Sequence, residues 1–256
     1  MDQNANATLN GKEVAIFDLD GTLAPSKFPM TAATGATVAD LLKRVKVAVI
    51  SGSGYKEFEA NLLSALPNGT SGLAGLILLP VSGTRLLTWK GAWCEEYAEH
   101  LSPAEKGAIM ASLNYALRAS GYELPTKAYG PIIEDRGSQI TFSANGQNAP
   151  LDVKTAWDPT REKREKIAEL LKGKIPGFDV RIGGTNSIDI TKRGVNKAYG
   201  IRKLEEYLHM PVEKMIFVGD KLMPGGNDYP VKATGIDSIQ VSGPEETESL
   251  IKGWLA

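Results

Sequence analysis

Three short apolar runs punctuate the chain, and each stops at a polar residue. Val14-Ala15-Ile16-Phe17 ends at Asp18, the valine-rich run Val45 to Ile50 ends at Ser51, and Met215 to Val218 ends at Gly219-Asp220. Nearly continuous apolar runs of this length read as strands buried on both faces, as in a parallel sheet. Helical spacing lies between them: Ile201, Leu204 and Leu208 share one face of a helix that begins near Lys197. Strands alternating with helices predict an α/β fold with a Rossmann-like, doubly wound parallel sheet. Ligands of such sheets bind beyond the carboxyl ends of the strands, which is where Asp18, Ser51 and Asp220 fall.

The middle of the chain has a different rhythm. Arg85 to Trp89 and Gln139 to Phe142 have strand character, rich in β-branched and aromatic residues. Ser102-Pro103-Ala104-Glu105 spells a capping box with proline at the first helical position, so a helix to about Ala119 is expected. Asp158-Pro159 opens another helix through Ile167 and Leu171. We read this stretch as an α+β insert, residues 82–185, between two halves of the α/β core, residues 1–81 and 186–256. Trp89, Trp93 and Trp157 are expected to pack within the insert or at an interface. Cys94 is expected to be an inert buried thiol, and the charged run Arg161 to Lys166 a solvated helix face.

Composition narrows the function. The 256 residues are 42% hydrophobic and 23% charged with a net charge of −1, which is ordinary for a folded domain and lacks the basic excess of a nucleic-acid binder. A single cysteine allows no internal disulfide and fits a reducing, cytoplasmic setting. No stretch has the apolar length of a membrane span, and the start lacks the basic and apolar pattern of a signal peptide. His100 and His209 are the only histidines, which excludes a multi-histidine metal site in one chain.

The chemistry sits at the strand ends. Asp18-Leu19-Asp20-Gly21-Thr22 carries two carboxylates two residues apart, followed by a glycine that permits a tight turn. Asp18 can point into the cleft. Asp20 can offer its backbone carbonyl to a metal and keep its side chain for proton transfer. Ser51 can donate to a phosphoryl oxygen, and Lys197 can bring positive charge against it. Read alone, each of these two is more simply a strand-end cap or a solvated lysine. Gly219 to Asp228 is a glycine-rich loop with two aspartates after a buried strand. Asp18, Asp20, Asp220 and Asp228 form an oxygen-only donor set of the kind that magnesium prefers.

In this order the motifs resemble those of the haloacid dehalogenase superfamily, in the subclass that carries a large α/β cap between its second and third motifs. Phe217 to Asp228, and Ile182-Gly183-Gly184 followed by Ser187-Ile188-Asp189, are similar to segments of the eukaryotic-type phosphomannomutases. The resemblance implies a magnesium-dependent phosphoryl transfer in which Asp18 forms an aspartyl-phosphate and Asp20 acts as acid and base. Ser51 and Lys197 then offset phosphoryl charge, with Gly52 beside Ser51 in the substrate contacts. It also implies that Arg136, Ser187 and Asp189 contact substrate in the cap, where Arg136 matches one of the family's phosphate-holding arginines. The other arginine positions fall on Lys27, Gln147 and Lys154, and the two lysines are expected among the substrate contacts beside Arg136. Lysine loses the bidentate fork and glutamine loses the charge. We therefore expect a phosphatase of a phosphorylated sugar or similar metabolite, ahead of a phosphomannomutase or phosphoglucomutase. A non-catalytic domain on the same fold is the remote alternative. Ser51-Gly52-Ser53-Gly54 lacks the lysine of a nucleotide-cradling P-loop. The expected partner is a small phosphorylated molecule, with neither nucleic acid nor membrane. A homodimer through the cap is a further expectation.

Overall fold

The computed structural model describes residues 8–26 and 28–256. The chain forms two compact units, Met1–Ala98 with Val195–Ala256, and Glu99–Gly194. In chain order the first unit opens with β1 (Val14–Asp18), α1 (Ala32–Leu41), β2 (Lys46–Ile50), α2 (Tyr55–Asn61), β3 (Leu76–Leu79), β4 (Arg85–Trp89) and β5 (Trp93–Ala98). The second unit contributes α3 (Pro103–Ser120), β6 (Ile133–Asp135), β7 (Gln139–Ser143), α4 (Leu151–Trp157), α5 (Glu162–Lys172), β8 (Phe178–Gly183) and β9 (Ser187–Lys192). The first unit is completed by α6 (Lys197–Leu208), β10 (Met215–Gly219), β11 (Asp237–Gln240) and α7 (Pro244–Leu255).

Seven strands in the order β11-β10-β1-β2-β3-β4-β5 make the sheet of the first unit. From β11 to β3 they are parallel, with Asp18 level with Ile50 and Ile50 level with Leu79. The apolar runs have the predicted cause. Ala15 and Phe17 of β1 join one buried cluster with Val38 and Leu41 of α1 and Ile251 of α7. Val14 and Ile16 join the opposite cluster with Ile201 and Leu204 of α6. A strand covered on both faces can hold no polar residue until its end, which is why the polar residue marks the site.

The boundaries differ from those expected at 82 and 185. β4 and β5 pair antiparallel on the β3 edge, so the core extends to Ala98. β9 pairs with β7 and β8, so Ser187 and Asp189 belong to the inserted unit. A strand's composition does not state which sheet it will join. Trp89 and Trp93 accordingly stack edge to face at 5.5 Å in the β4–β5 hairpin of the core, and Cys94 beside them is part-exposed rather than buried.

The inserted unit is an antiparallel sheet, β6-β7-β9-β8. Ile140, Phe142, Ile188 and Ile190 pack one face against Ile109 and Leu113 of α3 and Ile167 and Leu171 of α5. Alternation turns Gln139, Thr141, Ser143, Ser187, Asp189 and Thr191 to the other face. The capping box forms as read, with Ser102 Oγ accepting from Glu105 N–H and Glu105 returning a carboxylate oxygen to Ser102 N–H. Trp157 packs near Tyr122 and Phe142. The charged run is not wholly a solvated face. Arg164 is buried, donates to the Asp158 carboxylate at 2.7 Å, and donates to the Gly184 carbonyl. Asp158 in turn accepts the N–H groups of Lys163 and Arg164, which caps α5. Among the described residues, no helix is long and apolar enough to cross a membrane.

Candidate active site

Parallel pairing brings the ends of β1, β2 and β10 to one edge of the core sheet. Asp18, the last residue of β1, is 2% exposed. Lys197, the first residue of α6, reaches it with an ammonium that donates to Asp18 Oδ1 and to Asp228 Oδ1. The side chain of Asn196 sets the start of that helix by accepting from Tyr199 N–H at 3.0 Å. Thr22 Oγ1 donates to Asp18 Oδ2 at 3.4 Å. Asp228 is fully buried, and its Oδ2 accepts from Lys221 N–H at 3.0 Å.

Two glycines admit these carboxylates. A Cβ at Gly219 would stand 2.6 Å from Asp228 Oδ2. At Gly21, where φ is +92°, it would stand 2.5 Å from Asp220 Oδ2. Side chains are therefore excluded at both positions by the acids that close on them.

Carboxylate oxygens of Asp18, Asp220 and Asp228 lie within 4.8 Å of one another. Lys197 serves two of the three acids, and Lys221 donates to Asp220 Oδ2 at 2.5 Å. Asp220 Oδ1 is buried without a hydrogen-bond partner. Burial pushes the Asp18 carboxyl up from its ordinary range, with Lys197 pulling the other way and Asp228 adding to the rise. Burial would lower Lys197, but Asp18 and Asp228 together outweigh it and hold the ammonium above its usual value. Three clustered acids and an orphaned buried oxygen fit a hard divalent cation with oxygen ligands.

Asp20 lies beside this cluster and faces a different partner set. Its Oδ2 accepts from Ser51 Oγ at 3.3 Å and from Ser53 Oγ at 3.4 Å. Ser51 Oγ also accepts from Ser53 N–H at 3.1 Å. Gly52 between them is exposed. Ser53 was not singled out from sequence; the repeated serine in Ser51-Gly52-Ser53 was the available signal.

In the inserted unit, Arg136 follows β6 and donates to Glu134 at 2.7 Å. Asp189 Oδ1 accepts from Gln139 Nε2 and from Thr141 Oγ1, each at 2.8 Å. Ser187 Oγ donates to the Gly183 carbonyl. Sequence reasoning missed Gln139 and Thr141, although polar residues at every second position of a strand mark a face without apolar cover. Lys154 is buried, and its ammonium donates to the backbone carbonyl of Gln147 at 2.7 Å. Lys27 lies outside the described residues.

A family model described as eukaryotic phosphomannomutase matches residues 95–256. A phosphomannomutase of Saccharomyces cerevisiae is 29% identical over 230 residues, covering 85% of this chain and 84% of its own. One of Encephalitozoon cuniculi is 27% identical over 247 residues, covering 92% and 91%. Among solved structures, a haloacid dehalogenase-like hydrolase from Bacteroides thetaiotaomicron superposes with a TM-score of 0.61 at 17% identity, over 94% of this chain and 99% of that one. A truncated Plasmodium falciparum IMP-nucleotidase gives 0.69 at 19% identity, over 96% and 71%. At such identities the structures speak to the fold alone.

Proposed function

Because the chain belongs to the eukaryotic phosphomannomutase family, we propose that it moves a phosphoryl group between two positions of a hexose phosphate through an aspartyl-phosphate on Asp18. The observation that carries the chemistry is the buried Asp18 carboxylate, bonded to Lys197 beside Asp220 and Asp228. Asp18 attacks a phosphorus of a hexose bisphosphate, the bond from that phosphorus to the sugar oxygen breaks, and Asp20 gives that oxygen its proton, which leaves a hexose monophosphate. Lys197 and Ser51 oppose the charge on the phosphoryl oxygens. In the return step the free hydroxyl of a hexose monophosphate attacks the aspartyl-phosphate and re-forms the bisphosphate. Asp20 takes the hydroxyl proton, and Asp18 is released as a carboxylate. Asp18, Asp220, Asp228 and the backbone carbonyl of Asp20 would hold a magnesium ion, which would add positive charge beside the phosphoryl group. Arg136, Ser187 and Asp189 present charge and hydrogen-bonding groups suited to the distal part of the sugar phosphate, and Gly52 leaves space beside Ser51.

This reverses the preference for net hydrolysis drawn from Lys27, Gln147 and Lys154. The family match covers the whole inserted unit despite Gln147 and Lys154, which favours the mutase. Hydrolysis stays as the second reading on one observation: the Lys154 ammonium donates to the carbonyl of Gln147. A coupled assay following mannose 1-phosphate to mannose 6-phosphate, with catalytic hexose 1,6-bisphosphate, is run beside phosphate release on the same sample. Isomerisation outrunning release supports the mutase. Release outrunning isomerisation overturns it in favour of the phosphatase.

A further inference from the structure

The chemistry above makes no use of the segment between β3 and β4, yet its backbone runs through three positive φ angles in a row. Val81, Ser82 and Gly83 are consecutive left-handed residues, with φ of +50°, +56° and +84°. Two are not glycine, and Val81 is β-branched, the kind of side chain that this region tolerates least. Such a conformation persists only where the surroundings over-determine it.

The surroundings belong to the active site on two sides. Val81 N–H donates to the Ser53 carbonyl at 2.9 Å, and Ser82 N–H donates to the Ser51 carbonyl at 2.8 Å. The turn therefore grips the loop whose hydroxyls meet Asp20. On the other side it meets α6. A Cβ on Gly83 would overlap Gly200 Cα, and a Cβ on Gly200 would overlap Ile50 Cδ1 and stand 2.7 Å from the Ser82 carbonyl oxygen. Gly200 lies three residues after Lys197, on the same helical face. A third hold comes from Tyr97, whose hydroxyl donates to the Gly83 carbonyl at 2.7 Å. The Val81 side chain is fully buried.

We propose that the Val81–Gly83 turn is a positioning element that fixes the Ser51–Ser53 loop and the Lys197 helix relative to Asp18. A plain connection between two strands needs neither three left-handed residues nor a glycine-to-glycine contact with the catalytic helix. The proposal rests on the phosphoryl-transfer reading for its kinetic arm only.

The test is Gly200→Ala. Alanine favours a helix interior over glycine, so a loss of function cannot be assigned to a weaker helix. The added methyl meets the Ser82 carbonyl and the flexible end of Ile50, and the backbone contact, which yields least, must push α6 off the turn. A misplacement near one ångström lowers turnover by about 10- to 100-fold, and KM should stay near the wild-type value because the sugar-binding residues of the inserted unit are untouched. Gly253→Ala in α7, where the methyl meets nothing within 4 Å, is the control and should match wild type. A second readout does not depend on activity: the ammonium resonance of Lys197 in protein labelled with ¹⁵N-lysine, assigned by its loss in Lys197→Met. It should shift or broaden in Gly200→Ala. Because the Gly200 methyl also meets Ile50, Tyr97→Phe is measured beside it: it releases the Gly83 carbonyl without touching Ile50, and its turnover should fall with the same resonance displaced. Wild-type turnover and an unmoved Lys197 resonance in whichever variant folds would overturn the proposal. Absence of phosphoryl transfer in the wild-type protein would overturn the functional reading instead, and would leave the resonance test intact.

Discussion

Replacing Lys197 by methionine keeps most of the side-chain volume and removes the ammonium between Asp18 and Asp228. Those carboxylates are 2% and 0% exposed, so each is left buried without its counter-charge. Removing one partner of a buried ion pair costs about 3–5 kcal/mol. For a chain of this size that is roughly 6–20 °C in melting midpoint. The penalty has a definite sign with pH. Burial already raises the Asp18 carboxyl, with Lys197 opposing the rise; without the lysine the carboxyl rises further. A group whose folded pKa is raised gives its full stability below the unfolded value and loses it as pH climbs through the folded value. Lys197→Met should therefore regain stability as pH falls from about 8 to about 5, by up to about 1.4 kcal/mol per pH unit for each proton bound, more steeply than wild type. The assay is chemical denaturation in chelator across that range, followed by circular dichroism. A variant within about 1 kcal/mol of wild type near pH 8, where a loss of about 3–5 kcal/mol is expected, would refute the reasoning. So would a deficit that ignores pH.

Chelation should abolish activity and magnesium should restore it, with calcium a poor substitute because it takes more ligands at longer distances; full activity after exhaustive chelation would sink the metal assignment. In the inserted unit, burial pushes the Asp158 carboxyl up, but the Arg164 guanidinium and two backbone N–H groups outweigh it and hold the carboxyl below its usual range. A depressed carboxyl adds stability above its unfolded value and loses it as pH falls through the folded one, so this unit should weaken progressively below about pH 4. Arg164→Met should cost about 3–5 kcal/mol and blunt that acid limb, read by Trp157 fluorescence, and an unaltered acid limb would count against the pair.

What was legible in the sequence followed from burial. β1, β2 and β10 are covered on both faces, so their apolar runs and polar ends could be read directly, and with them Asp18, Ser51 and Asp220. Lys197 and Asp228 were legible through motif order. The core's extension to β5 was not, because Arg85 to Trp89 has the composition of a strand in either sheet. Arg164 was hidden because a charged residue in a charged run looks solvated until its partner Asp158 is placed. Val81 and Ser82 carry no mark of a left-handed turn, since neither residue type favours it; hydrogen bonds to Ser51 and Ser53 impose it from outside. Gln139 and Thr141 needed the register of β7 against β9 before their convergence on Asp189 could be seen.

The strand order carries a consequence for biosynthesis. β1 lies between β2 and β10, so the strand that ends in Asp18 pairs on one side with a segment made long after it, once the whole inserted unit has been synthesised. Until β10 emerges, β1 presents an open apolar edge of the kind that pairs with other chains. The inserted unit is continuous from Glu99 to Gly194 and can fold while the core waits. Closing β10 onto β1 then spans nearly the whole described chain, the sort of long-range pairing that folds slowly. Lys197 and Asp228 arrive from that same later segment, so the Asp18 carboxylate gains these partners only after the inserted unit has been made. A ribosome stalled before β10 would hold a folded insert beside an unfinished, aggregation-prone core.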